Sequence, residues 1–166
     1  PQTGLQAKAR QARYDLMAGW CRTNGATALL TGHTRDDQAE TVLMRLARTT
    51  SIDSLAGIHP VAQWDGLKLV RPVLDQNRQQ LRDYLKIRHG NWIEDPSNAD
   101  ERFERVRVRK ALGGQATWHI NERQLADLAK ECRDAAEVLG TLAADYLAAA
   151  LTVHPQGFGT FPLASF

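Results

Sequence analysis

Cysteine is scarce in this sequence: Cys21 and Cys132 are the only two in 166 residues, and neither sits in a Cys-x-x-Cys pair or a Cys/His array. That excludes a disulfide framework and a cysteine-built zinc site, and leaves two buried free thiols as the expectation. Long hydrophobic runs are missing as well. Nothing approaches the roughly 18 consecutive apolar residues of a membrane span, and the first residues have neither the basic nor the apolar stretch of a secretory leader. A soluble, cytoplasmic protein without membrane attachment is expected. There is no internal repeat, and no low-complexity tract beyond an Ala-rich helical stretch. The chain begins at Pro1 without an initiator Met and stops at Phe166 on an apolar segment, so both ends are expected to be cuts in a longer protein.

What is present suffices for a packed core. With 43% hydrophobic and 24% charged residues, the chain reads as one globular domain with a helical appendage. The net charge is only +2, yet 16 of the 21 cationic residues are Arg. The planar guanidinium fork suits phosphate and carboxylate recognition better than a Lys ammonium does, which points to an anionic partner.

The order of elements suggests an α/β fold. Apolar residues at Ala9, Ala12, Leu16 and Trp20 recur at helical spacing, and Asn24-Gly25 supplies a stop. Ala26 to Thr31 is a short apolar run without alternation, as expected of a parallel strand covered on both sides. A helix over Arg35 to Arg48 follows, with Val42, Leu43, Leu46 and Ala47 on one side and acids near its start. Leu67 to Leu74 reads as another strand, with Arg71-Pro72 at its end or edge. Asn77 and Gln80 form a capping-box-like start to a helix through Leu81, Tyr84 and Leu85, closed by Gly90. After the loop Trp92 to Asn98, Asp100 is the expected N-cap of a very basic helix reaching Leu112. Asn121 to Leu151 reads as one long helix or two stacked ones. Helix, buried strand and helix in succession predict part of a doubly wound parallel sheet followed by a helical segment, with ligands bound beyond the carboxyl ends of the strands.

That is where the densest polar cluster falls: His33, Asp36, Asp37, Gln38, Glu40 and Thr41 at a strand-to-helix junction. Asp36 and Glu40 are four apart, and Asp37 lies three from Glu40 and four from Thr41, so one helical turn gathers several oxygens. Such a set could hold a Mg²⁺ ion that also binds phosphate, or an amine substrate. Equally, Asp36 and Asp37 could cap the helix while Glu40 is solvated. His33 beside the acids is as readily a hydrogen-bonding residue as a catalytic one. His59, His89, His119 and His154 share no metal-ligand spacing. Arg102, Arg105 and Arg109 fall at steps of three and four and could neutralise phosphates, or form a solvated face paired with Glu101 and Glu104. Arg10 and Arg13 pose the same choice on the first helix.

Taken in order, Ala9-Arg10-x-x-Arg13-Tyr14, His33-x-x-Asp36-Asp37-Gln38-Ala39-Glu40-Thr41, Leu69-Val70-Arg71-Pro72-Val73-Leu74, Trp92-x-Glu94-Asp95-Pro96-Ser97-Asn98 and Arg105-x-x-x-Arg109 resemble the tRNA(Ile)-lysidine synthetase family of the N-type ATP pyrophosphatase group. The resemblance covers roughly residues 7 to 112, and the remainder is more loosely similar to that family's helical linker and the start of its helical tRNA-binding domain. It implies an adenine nucleotide alpha hydrolase-like fold. It also implies a ligase that uses ATP and Mg²⁺ to adenylate the wobble cytidine of a CAU-anticodon isoleucine tRNA, after which L-lysine displaces AMP. Asp37 and Glu40 would then handle the lysine amine or the metal, with His33 and Asp36 in support and Asp36 and Asp37 as the metal acids. Arg13 would line the active centre, Arg105 and Arg109 would meet ATP phosphates or RNA, and Asn98 would shape the same pocket. A homodimer is left open. The family's phosphate-cradling SGGxDS loop is not among these 166 residues, so these residues alone are expected to be inactive. Arg48-Thr49-Thr50-Ser51 stands where the family usually has a Gly-rich loop, and Val106 where it usually has Asn. Three other readings stay open: a different tRNA-modifying ATP pyrophosphatase, for which cysteine placement argues poorly; a non-catalytic tRNA-binding module, which would avoid an acid cluster near phosphates; and a metal-dependent phosphohydrolase, which lacks further ligand motifs downstream.

Overall fold

A computed structural model describes residues 3–95, 100–113 and 120–162. The chain opens with helix α1 (Thr3–Thr23), which ends where Gly25 takes a positive φ of 67°. Strand β1 (Ala28–Leu30) leads into α2 (Arg35–Leu46), a single turn α3 (Ile52–Leu55), and a hairpin of β2 (Val61–Trp64) and β3 (Leu67–Val70). Helices α4 (Arg78–Ile87), α5 (Glu104–Gly113) and the 29-residue α6 (Glu122–Ala150) follow, and a small hairpin of β4 (Thr152–Val153) and β5 (Gly159–Thr160) closes the described chain.

The main sheet has the order β1-β3-β2, with β1 parallel to β3 and β2 antiparallel to it. It is therefore α/β as expected, but mixed rather than wholly parallel. The reason is local: Asp65 and Gly66, at φ 49° and 75°, make the two-residue turn whose twist matches a tight hairpin. Nor is β1 covered on both sides, since Leu30 is exposed.

Two apolar clusters hold the elements. In the first, Ala18 and Cys21 of α1 meet Leu67 of β3, with Ala26, Leu29 and Trp64 around them. This reverses the expected face of α1. Tyr14, Ala18 and Cys21 are buried, whereas Leu16 and Trp20 are 76% and 65% exposed; both sets have helical spacing, and periodicity alone does not choose between them. In the second cluster, Ala39 and Val42 of α2 pack on Leu125 and Ala129 of α6. The two alanines let the helix axes approach closely. Only the first half of α6 is used in this way, because Leu139 and Leu142 farther along are exposed. It is one helix, started by a capping box between Asn121 and Gln124. Cys132 is half-buried and, like Cys21, a free thiol.

The site depends on where two helices begin. The parallel strands β1 and β3 end side by side at Leu30 and Val70. Beyond them the backbone N–H of Arg35 donates to the carbonyl of Gln76 (2.9 Å), bringing the start of α2 against the start of α4. Gln38 is buried in α2 and clasps the Ile58 backbone, accepting from its N–H at 2.6 Å and donating to its carbonyl at 3.2 Å. Gly57 must be glycine there. Its φ is 66°, and a Cβ would stand 2.7 Å from the Gln38 Oε1.

Val42 is fully buried at the α2–α6 contact. Val42→Ala should therefore lower the unfolding free energy by about 2 kcal/mol, the transfer of two methyl groups plus the void they leave. Urea denaturation followed by circular dichroism measures the change; a loss below about 0.5 kcal/mol would mean that α6 does not rest on α2.

Candidate active site

Helix α2 begins with Thr34 as N-cap in extended backbone. The Thr34 hydroxyl accepts from the Asp37 N–H (3.4 Å), while the Asp37 Oδ2 accepts from the Thr34 N–H and hydroxyl, both at 2.8 Å. The capping role expected of Asp36 and Asp37 thus falls to Thr34, with Asp37 as the reciprocal acid of the box. Asp37 is more than a cap, because its other oxygen, Oδ1, accepts from the Arg78 Nη2 at 2.7 Å.

Glu40, one turn on, is not solvated. It is 1% exposed, and its Oε1 accepts from the Arg78 Nη2 at 3.1 Å and from the Arg109 Nε at 2.7 Å. The Glu40 Oε2 is buried with no hydrogen-bond partner. Asp36 takes a different direction: its Oδ2 accepts from the backbone N–H of Arg78 (2.9 Å), satisfying an open donor in the first turn of α4. Three acids of α2 therefore converge on one residue of α4.

A cavity of about 700 Å³ lies over this cluster, lined by Arg10 and Arg13 of α1, Asp37 of α2, Arg78 of α4, and Arg105 and Arg109 of α5. Five guanidinium groups against Asp37 and Glu104 make it strongly attractive to anions. Arg105 donates to the Thr41 hydroxyl at 3.3 Å, which turns it toward α2. Asp36 borders a second, smaller cavity of about 310 Å³ together with Arg78, Arg82, Glu94 and Arg109. Arg78 and Arg109 form the wall between the two.

Burial alone would raise the Asp37 carboxyl pKa, but the Thr34 hydrogen bonds and the Arg78 charge more than offset it and hold the group below the usual carboxylate range. Arg78 loses hydration by burial, which weakens its hold on a proton, yet Asp37 and Glu40 beside it raise its pKa overall. His33 is half-buried. Its Nδ1 is 2.9 Å from the Thr31 hydroxyl, and desolvation followed by the Arg71 charge lowers its pKa below 6.5, so it is neutral at pH 7. It does not line the larger cavity.

The structure thus brings Asp37, Glu40, Arg13, Arg105 and Arg109 together at one place, with Asp36 behind them. Asn98 lies outside the described residues. Asp100 does not cap α5. It accepts from the Arg102 N–H and side chain, and the helix starts only at Glu104. Arg102 is therefore off the helix and exposed, and the three-arginine stripe reduces to Arg105 and Arg109. Val106 is buried, which accounts for an apolar residue at that position, and the Arg48 Nη2 donates to both carboxylate oxygens of Glu104, at 2.7 and 2.6 Å. Sequence reasoning missed Arg78 and Thr34. The Thr-x-x-Asp capping pattern signals Thr34. Nothing local signals Arg78, which is 41 residues from Asp37.

Among the described residues no three His, Cys, Asp or Glu side chains gather to hold an ion, Asp36 and Asp37 open on different cavities, and both Asp37 oxygens already accept from Thr34 and Arg78.

A sheet whose parallel strands β1 and β3 are followed by the helices α2 and α4 that contribute Asp37 and Arg78 to an arginine-rich cavity defines an α/β protein with its candidate ligand site beyond the strand carboxyl ends. The chain belongs to the PP-loop domain family, which it matches over residues 1–116. It is 42% identical to the tRNA(Ile)-lysidine synthase of Ruegeria pomeroyi, over 95% of this chain and 39% of that protein. The tRNA(Ile)-lysidine synthase of Mesorhizobium japonicum is 49% identical over 72% of this chain and 28% of its own length. That of Rhodopseudomonas palustris is 44% identical over 91% and 44%. The chain spans less than half the length of these relatives.

Because Asp37 ionises more readily folded than unfolded, it adds stability above the ordinary carboxylate pKa, and this is lost as pH falls through the folded value. Thr34→Val removes the hydroxyl cap and with it one of Asp37's donors, while the backbone N–H of residue 34 stays. It should cost about 1 kcal/mol at pH 7, and the gap to the parent should narrow as the pH falls from about 4 through the lower folded value, below which the carboxyl is protonated in both states. Urea titrations of both proteins across this range check it; a gap independent of pH would show that Thr34 does not act through Asp37.

Proposed function

We propose that this chain forms part of the catalytic domain of an ATP-dependent ligase that joins L-lysine to the wobble cytidine of a CAU-anticodon isoleucine tRNA. In the first step the cytidine is adenylated by ATP and pyrophosphate leaves. In the second the lysine ε-amine attacks the activated base and AMP leaves. The strands seen here belong, on this reading, to an adenine nucleotide alpha hydrolase-like sheet, and residues 113–166 to a helical linker and the start of a tRNA-binding domain. A cytoplasmic location follows from the tRNA substrate; among the described residues no helix is long and apolar enough to cross a membrane.

The observation that carries the proposal is an ionised acid, Asp37, set among arginines on the wall of one cavity. Both steps handle phosphate charge, and Arg13, Arg105 and Arg109 are placed to meet the phosphates of ATP or of the tRNA. The second step needs an amine held close to the activated carbon. Asp37 offers a carboxylate to that amine, Glu40 reinforces the negative charge beneath it, and Asp36 and neutral His33 complete the surroundings. Mg²⁺ would arrive on the ATP phosphates, with Asp36 and Asp37 as the carboxylates available to it. The target base is unpaired in the anticodon loop, which keeps the cost of presenting it low.

The test is incorporation of labelled lysine into unmodified CAU-anticodon isoleucine tRNA by the complete protein with ATP and Mg²⁺. Incorporation is expected, and Asp37→Asn should reduce it at least about 100-fold while tRNA binding persists. Tight tRNA and ATP binding without lysine transfer would overturn the assignment in favour of another tRNA modification; tRNA binding without ATP binding would favour a non-catalytic module.

A further inference from the structure

Asp37 and Glu40 lie within one helical turn, and like charges so placed repel each other or take up a proton unless a cation stands between them. The cation in this structure is Arg78. A single nitrogen, Nη2, reaches Asp37 Oδ1 at 2.7 Å and Glu40 Oε1 at 3.1 Å, while the Arg78 backbone N–H is fixed by Asp36 at 2.9 Å. Arg109 also pairs with Glu40, but among the described residues the only ion pair of Asp37 is with Arg78. Arg78 is itself held in place. It is the first residue of α4, behind an Asn77–Gln80 capping box, so its backbone is set before the side chain reaches across to α2.

We propose that Arg78 is a positioning residue of the ligase centre: from the first turn of α4 its guanidinium holds the Asp37 and Glu40 carboxylates together, with Asp37 facing the cavity that receives the amine. The role rests on the reading of this site as a lysine ligase. It acts through the two acids, and Arg78 need not touch the reacting atoms. The rigid, planar guanidinium fixes where its Nη2 meets both carboxylates, whereas an ammonium supplies the same charge on a shorter, flexible stem that does not fix that position. Substrate affinity for the amine is where a displaced Asp37 is felt, because a misplacement of about 1 Å in a binding group costs up to roughly 100-fold.

The experiment uses the complete protein and two variants, Arg78→Lys and Arg78→Met, with KM for L-lysine, KM for ATP and kcat measured separately and thermal unfolding recorded alongside. Arg78→Lys keeps the charge near buried Glu40 and guards against a variant that does not fold. The expected result is a rise of about tenfold or more in KM for L-lysine in Arg78→Lys, larger in Arg78→Met, against about twofold or less for ATP. A KM for lysine unchanged in both variants overturns the role. So does a loss of activity that moves both KM values and the unfolding temperature together, since that is what a purely structural residue produces. Failure of the parent protein to incorporate lysine overturns the ligase reading first, and this role with it.

Discussion

The constraint on which the site depends is the burial of Glu40. A carboxylate taken almost wholly out of water is tolerated only with a charged partner in good geometry. Here two are supplied, Arg78 from α4 and Arg109 from α5. Helices that are far apart in sequence, the paired groups being separated by 38 and 69 positions, must therefore meet at this point of α2. The apolar contacts of α2 lie on another side, against α6. Helix α2 is thus held by oil on one face and by charge on another, and the charged face becomes a cavity wall.

This arrangement settles how the charges divide their work. Arg78 is committed to the acids, and Arg109 partly so. Arg10, Arg13 and Arg105 line the cavity without an ion pair among the described residues, and Arg10 lies over the Tyr14 ring at 5.0 Å. An anion entering the cavity meets guanidinium groups, while Asp37 keeps a local negative charge at one edge. Phosphate chemistry and an amine nucleophile need both signs of charge within a few ångströms, and a uniformly basic surface does not supply them. The helix dipole adds little to this balance, because the first turn of α2 is already capped by Thr34 and Asp37.

Distance from the site decides how strictly the rest of the fold is specified. Gln38 clasps the Ile58 backbone, and Arg45 donates to the carbonyls of Ser54 and Gly57 at 2.6 and 3.0 Å, so the segment after α2 is tied back to it by polar side chains. Helix α6 supports α2 only over its first turns and then runs on with Leu139, Leu142 and Leu147 exposed. In the same way α1 presents a buried face to β3 and an apolar stripe outward. Both helices are amphipathic in more than one direction, which is why apolar spacing misjudged α1.

Residue order by itself determined the features that are local in origin. The α2 and α4 helices, the capping pair at Asn77, the parallel strand before His33 and the acid cluster at its end could all be read from spacing, because each depends on hydrogen bonds or periodicity within a few residues. The hairpin was legible too, in Asp65-Gly66 between two apolar runs, though it was not read. Tertiary structure alone decided which face of α1 is buried and that Glu40 is inside. It alone showed Arg78 as the partner of Asp37. Those outcomes rest on Coulomb attraction and burial between groups dozens of residues apart, and no local pattern records which distant arginine a carboxylate will meet.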